Sequence, residues 1–107
     1  MAQENHSRMI NDTITQYVQT LRDNRIPVWR LYLFGSHAKG TARAESDIDL
    51  AVFLDQDEID GFNEDVQLMI LTRKVDLSIE PHCFSRKDFE NPDPFVQEIL
   101  SNGERLL

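Results

Sequence analysis

The chain has 107 residues, of which 40% are hydrophobic and 28% charged, the composition of an ordinary globular domain. Acidic residues outnumber basic ones by 19 to 11, and the resulting net charge of −8 argues against general binding to nucleic-acid backbones. A single cysteine, Cys83, excludes an internal disulfide and a cysteine-rich zinc site.

The sequence contains no long apolar segment. Its longest purely apolar run, residues 50–54, is far too short to span a bilayer, and the polar first residues do not resemble a secretory leader. We therefore expect a single domain over residues 1–107, located in the cytoplasm and without contact to a membrane.

The first half of the chain predicts one helix followed by two strands. Apolar residues recur at helical spacing over residues 7–23, which indicates an amphipathic helix. Residues 28–34 are rich in β-branched, aromatic and aliphatic side chains and predict a buried strand, which Gly35 and Ser36 end. A second strand is predicted over residues 47–54, where apolar side chains occupy alternate positions.

The second half predicts a helix, a third strand and a closing helix. The helix is indicated by apolar residues at helical spacing that follow the candidate caps Asp55 and Asp57, namely Ile59, Phe62, Val66, Met69 and Ile70. Alternation over residues 75–80 predicts the third strand, which Pro81 closes. Ser85 with Asp88 resembles a capping box, and the last helix is bracketed by Asp93, Pro94 and Gly103.

This order of elements predicts an α/β (α+β) fold. We expect a small mixed β-sheet with helices packed mainly on one face, and with acidic side chains at one edge of the other face.

Two carboxylates lie close together in the second predicted strand. The period of two in a strand places Asp47 and Asp49 on one face, with Ile48 turned into the core. A cation relieves the repulsion between such acids, and Mg²⁺ is typically held by one or two carboxylates together with substrate phosphates. For an isolated Asp-x-Asp, a solvated strand face is the simpler interpretation. Asp76, on the third predicted strand, adds a carboxylate that would complete a two-metal site for phosphoryl transfer.

A glycine and a serine follow the first predicted strand. Gly35 allows the backbone to turn sharply and to approach a ligand closely. If a short helix begins at Ser36, its free N–H groups and hydroxyl are suited to triphosphate oxygens. An ordinary turn is the alternative interpretation.

Residues 35–50 read GSHAKGTARAESDIDL. This stretch resembles the signature of the minimal nucleotidyltransferases, in the superfamily of DNA polymerase β and the aminoglycoside nucleotidyltransferases. The resemblance covers residues 26–81, the predicted catalytic core, and implies the polymerase-β-like fold. It also implies that Gly35 and Ser36 hold the triphosphate, and that the catalytic, metal-binding carboxylates are Asp47, Asp49 and Asp76. The implied cofactor is Mg²⁺, as two ions, with ATP as substrate.

The same resemblance implies a partner. Many minimal nucleotidyltransferases are antitoxins that act beside a small helical HEPN-domain ribonuclease, so the implied reaction is transfer of AMP to a tyrosine of such a toxin. Two alternatives remain: an enzyme that modifies a small molecule such as an aminoglycoside, and a non-catalytic antitoxin that neutralises its partner by binding. Larger relatives of the first kind carry an extra helical domain, and a pure binder has no need of three acids.

Three other polar residues lie near these motifs. Glu80 shares the predicted strand face of Asp76 and is a candidate accessory base. His37 is most simply a solvated residue at a helix start. His82 has no second soft ligand at a spacing suited to a metal.

Overall fold

The computed structural model describes residues 2–43 and 46–107; Ala44 and Glu45, inside the signature, lie outside the described residues. The elements in chain order are α1 (Ala2–Asp23), β1 (Val28–Phe34), α2 (Ser36–Lys39), β2 (Ile48–Leu54), α3 (Phe62–Thr72), β3 (Ile79–Phe84), α4 (Arg86–Glu90), α5 (Pro94–Asn102) and β4 (Glu104–Arg105). None of the described helices is both long and apolar enough to cross a membrane.

A four-stranded sheet in the order β3-β2-β1-β4 organises the chain. Strand β1 pairs antiparallel with both β2 and β4, whereas β2 and β3 are parallel and are joined by α3. The mixed α/β fold expected from the sequence is confirmed. Because β3 is an edge strand, it tolerates Pro81, which cannot donate a ladder hydrogen bond.

Helices cover both faces of the sheet. Alternate residues of β2, beginning with Ile48, pack with α1 and α3 in the larger core, which also contains Tyr17 and Leu68. The other alternate residues, Ala51 and Phe53, pack with α5 and with Phe89 of α4 in a second, more aromatic core. The expectation of helices mainly on one face was therefore incomplete, because the short helices after β3 cover the second face.

Several predicted element bounds and helix caps are confirmed. Strand β1 has the predicted bounds, and α2 begins at Ser36. The capping box is present, since the Ser85 side chain accepts a hydrogen bond from the Asp88 N–H while the Asp88 carboxylate accepts one from the Ser85 N–H. Asp93 caps α5, which begins at Pro94 and ends before Gly103.

Two predictions about this part of the chain were wrong. The third strand is displaced: it covers Ile79–Phe84 and contains Pro81, whereas residues 73–78 form turns that follow α3. The candidate caps Asp55 and Asp57 do not begin α3, because the residue before the helix is Gly61 and no side chain caps it. Strand β4, only two residues long, was not expected.

One buried hydrogen bond joins α1 to α3 across the larger core, from the Tyr17 hydroxyl to the Leu68 carbonyl oxygen at 2.7 Å. Tyr17→Phe removes this hydrogen bond, while the carbonyl keeps its helical bond within α3, and it is expected to lower the free energy of unfolding by about 0.5–1.5 kcal/mol. Urea denaturation measures the change. Tyr32→Phe is the control, since the Tyr32 hydroxyl makes no hydrogen bond within the described part of the chain; an equal loss in both variants would contradict the assignment.

Candidate functional site

Asp47 and Asp49 stand where β2 begins. Asp47 directly precedes the strand and is exposed, whereas Asp49 lies within it and is half-buried. Burial is the main cause that raises the pKa of Asp49 above its ordinary value; the charge of Asp47 adds to this rise, and His82 opposes it. The charge of Asp47 therefore acts on the Asp49 carboxylate, which is separated from it by one residue.

Gly35 packs directly against Asp49. Its backbone has a φ of 75° and a ψ of −151°, a conformation that is essentially restricted to glycine. A Cβ atom at this position would overlap the Oδ2 atom of Asp49. The end of β1 can therefore approach the carboxylate only because residue 35 has no side chain.

The short helix α2 places Ser36 next to this contact. Gly35 supplies the helix with a backbone acceptor for the Lys39 N–H, at 3.1 Å, and no side chain caps the helix. The Ser36 carbonyl oxygen accepts from the N–H groups of Gly40 and Thr41, and Gly40 ends the helix in the left-handed conformation. Gly35 and Ser36 thus turn the chain tightly beside Asp49, which leaves the predicted triphosphate-binding residues adjacent to the carboxylates.

Asp76 is not on the strand where the sequence placed it. It lies in the turn before β3, where its Oδ1 atom accepts hydrogen bonds from the hydroxyl of Ser78 at 2.6 Å and from the Ser78 N–H at 2.8 Å. These bonds lower the pKa of Asp76. Its carboxylate therefore stabilises a turn. The strand predicted over residues 75–80 was wrong at Asp76 because apolar and polar residues alternate there as in a strand, but the first four of these residues form the turn that follows α3.

Glu80 is the acidic residue that the fold places beside Asp49. In the parallel pairing of β2 with β3, Asp49 is in register with Glu80, and on its other side it is in register with Phe34 of β1. Residues in register share a face of the sheet, so Glu80 belongs to the same face as Asp49. Sequence reasoning gave Glu80 only an accessory role, because the register of two strands separated by a helix is not a local property.

His82 also borders the site, whereas the sequence was interpreted only as giving it no partner for a metal. Its Nε2 atom lies 3.8 Å from Oδ1 of Asp49. Its ring lies against Phe34, with centroids 5.2 Å apart, and against Phe95 of α5, at 6.2 Å. His82 is two residues beyond Glu80 on the same strand, so the period of two would have placed it here had the register been known.

His37 links α2 to the segment that leads into Asp47. Its Nε2 atom lies 3.3 Å from the carbonyl oxygen of Ser46. His37 is half-buried and not the solvated residue expected from the sequence. His37 acts to lower the pKa of Asp49.

The described residues contain no group of three His, Cys, Asp or Glu side chains gathered closely enough to hold a metal ion. The chemistry of the donors at this edge nevertheless suits Mg²⁺, which prefers carboxylate oxygens and takes its other ligands from water and phosphates. The absence of a side chain at Gly35 leaves room for the Asp49 carboxylate at this edge. Asp47 and Asp49 are the residues that would hold the ion.

Solved structures share this fold. The chain aligns with a chain of the crystal structure of a toxin–antitoxin with AMP-PNP, at a TM-score of 0.59 and 23% identity, over 87% of this chain and 71% of that one. It also aligns with a chain of the structure of a tri-AMPylated Shewanella oneidensis HEPN toxin in complex with an MNT antitoxin, at a TM-score of 0.57 and 20% identity, over 91% and 71% of the two chains. At these identities the likeness concerns the fold.

Sequence comparison identifies the family. A protein of Methanocaldococcus jannaschii named "Putative protein adenylyltransferase MJ1379" is 30% identical over 83 residues, which cover 78% of this chain and 81% of that protein. The family model described as "Polymerase beta, Nucleotidyltransferase" matches residues 14–107, which include every element from α2 to β4. The chain belongs to the polymerase β nucleotidyltransferase family.

Proposed function

We propose that this nucleotidyltransferase transfers AMP from ATP to a tyrosine hydroxyl of a small helical HEPN-type toxin in the cytoplasm and thereby acts as its antitoxin. The proposal rests on the position of Asp49: this residue packs against Gly35 and is in register with Glu80. The name of the related M. jannaschii protein supports the protein acceptor, and the toxin–antitoxin complexes that share the fold support the partner.

The carboxylates and the Gly-Ser turn have separate roles in this proposal. Asp47 and Asp49 hold Mg²⁺, which when bound supplies electrostatic stabilisation of the phosphoryl oxygens. Gly35 and Ser36 hold the triphosphate beside them, with the backbone close to the ligand because no Cβ intervenes. Glu80 takes the third position that the sequence had given to Asp76, because it shares a sheet face with Asp49 while Asp76 is bonded to Ser78.

The proposed reaction is a single displacement. The tyrosine oxygen forms a bond to the α-phosphorus of ATP, the bond from that phosphorus to the bridging oxygen breaks, and pyrophosphate leaves. The hydroxyl proton passes to a carboxylate of the site, for which Glu80 is the candidate. The half-buried position of Asp49 keeps water away from one side of the carboxylates and strengthens their charge interactions.

Co-expression with the protein encoded by the adjacent gene tests the proposed function. Intact-mass spectrometry is expected to show that the partner gains the mass of one or more AMP groups, and that Asp47→Asn or Asp49→Asn lowers this transfer about 100-fold or more. A partner that binds stably without ever gaining this mass would show that neutralisation proceeds by contact alone.

Glu80→Gln and Asp76→Ala form a matched pair that tests the third carboxylate. Glu80→Gln is expected to lower kcat about 100-fold or more, because it removes a proton acceptor, with little change in stability. Asp76→Ala is expected to keep transfer near the wild-type rate and to lower the free energy of unfolding by about 1 kcal/mol, since it removes the acceptor of the Ser78 bonds. The reverse pattern would show that Asp76, and not Glu80, is the third catalytic carboxylate.

Gly35→Ala and Gly40→Ala test the close approach of the backbone to Asp49. Both glycines have positive φ, 75° and 74°, so both substitutions strain the backbone. The strain is about 1–2 kcal/mol at Gly40, which is in the left-handed region, and larger at Gly35, whose ψ of −151° is essentially restricted to glycine. Only at Gly35 does the added Cβ meet another group, because nothing lies within 4 Å of a Cβ at Gly40.

Calorimetry is therefore expected to show that Gly35→Ala weakens the binding of ATP with magnesium, while Gly40→Ala leaves it unchanged. The wild-type chain is expected to bind ATP only weakly without magnesium, because Asp47 and Asp49 then repel the triphosphate. Equal losses in the two variants would mean that strain, and not the contact with Asp49, is responsible.

A further inference from the structure

Helix α3 has apolar side chains on two opposite faces. One face is buried and contributes Leu68 and Leu71 to the larger core. The opposite face carries four apolar side chains that are exposed to solvent: Phe62 at 74%, Val66 at 40%, Met69 at 48% and Ile70 at 50%. Their spacing of four, seven and eight residues from Phe62 aligns them in one stripe along the helix. Most of the apolar residues whose spacing predicted this helix therefore lie on its exposed face.

The stripe ends near the edge of the sheet at which the site lies. Helix α3 packs on one face of the sheet, and Asp49 and Glu80 share the opposite face. Since β2 and β3 are parallel and α3 joins them, the helix runs back from the end of β2 to the edge of the sheet where Asp49 lies and β3 begins. Leu77, in the turn at that edge, is 75% exposed. The carbonyl oxygen of the next residue, Ser78, accepts a hydrogen bond from the N–H of Ile48 at 2.8 Å. Ile48 is the residue between Asp47 and Asp49 in the sequence. We name Phe62, Val66, Met69, Ile70 and Leu77 the α3 stripe.

Charges beside the stripe indicate what would cover it. Three exposed acids, Asp57, Glu58 and Asp60, lie just before the helix, and two exposed bases, Arg73 and Lys74, follow it, so the charge around the start of the stripe is acidic. Of these three acids, only Glu58 forms a salt bridge within the described residues, with Lys87. A second copy of the chain would bring the same net charge of −8, whereas a basic protein would meet opposite charge. Contiguous exposed apolar side chains rimmed by polar residues are typical of protein-interaction surfaces.

The stripe is too small to form a complete protein interface by itself. Five side chains are few beside the roughly 20–30 residues that each partner contributes to a standard interface. A partner seated on the stripe must therefore extend beyond it, and one that passes Leu77 around this edge of the sheet would reach the carboxylates on the other face.

We propose that the α3 stripe docks the protein substrate, which covers it with an apolar surface flanked by basic residues and thereby presents its hydroxyl at the β3 side of the site. This inference rests on the proposed function. An acceptor held at the stripe and at the site edge is oriented before the reaction, which lowers the entropic barrier of the displacement.

The test uses the full chain and the helical protein encoded by the adjacent gene. Met69→Gln combined with Ile70→Gln removes apolar surface while keeping good helix formers, so stability is expected to be unchanged. The KM for the partner is expected to rise about tenfold or more, with kcat at saturating partner and ATP affinity with magnesium both retained. Met9→Gln is the matched control, because Met9 is 68% exposed on α1 and lies outside the stripe; it is expected to behave as wild type.

Binding of the partner is measured separately by calorimetry, which distinguishes failure of this inference from failure of the proposed function. If the wild-type chain binds the partner without transferring AMP and the double variant loses that binding, the docking surface stands and the proposed reaction does not. Wild-type affinity in the double variant would overturn the docking surface, as would the absence of any binding by the wild-type chain. A wild-type dimer that the double variant dissociates in sedimentation equilibrium would instead assign the stripe to a second copy.

Discussion

The contact between Gly35 and the Asp49 carboxylate is the constraint on which the site depends. A side chain at residue 35 would occupy the space of an Asp49 oxygen atom, so the end of β1 reaches the carboxylate only with glycine and only at a backbone conformation with positive φ. The antiparallel pairing of Phe34 with Asp49 brings the two strands to this point. Helix α2 follows at once, and the residues that the family signature assigns to the triphosphate therefore stand beside those it assigns to the metal.

The second half of the site depends on a longer-range feature, the parallel register of β2 and β3, and this explains what the sequence could and could not predict. Strand β1, the capping box at Ser85 and the bounds of α5 depend on neighbouring residues and were predicted correctly. The register that places Glu80 beside Asp49 was not predicted. Alternation over residues 75–80 indicated a strand carrying Asp76, but hydrogen bonds from Ser78 fold that segment into a turn, and the crossover through α3 brings Glu80 into register. No local pattern specifies such a register.

Helix α3 shows a related limit. A period of 3.6 residues identifies a helix with an apolar face, but it does not say whether that face meets the core or another protein. Here Leu68 and Leu71 supply the buried contacts, while Phe62, Val66 and Ile70, which gave the strongest pattern, face outward. In a chain of 107 residues, apolar side chains left outside the core lower solubility unless something covers them, so their alignment in one stripe is itself evidence about function.

The electrostatics of Asp49 connect the stability of the domain with the proposed partner. Burial and the neighbouring Asp47 both raise the pKa of Asp49, so the ionised carboxylate destabilises the fold at neutral pH, and this contribution becomes more unfavourable as the pH rises through that pKa. A cation offsets this repulsion, but Asp47 remains exposed at the edge of the sheet, and phosphoryl transfer in such an open site competes with water. A protein that covers the α3 stripe and reaches past Leu77 would exclude water from the carboxylates while it delivers the acceptor. Binding of the substrate and completion of the site would then be the same event.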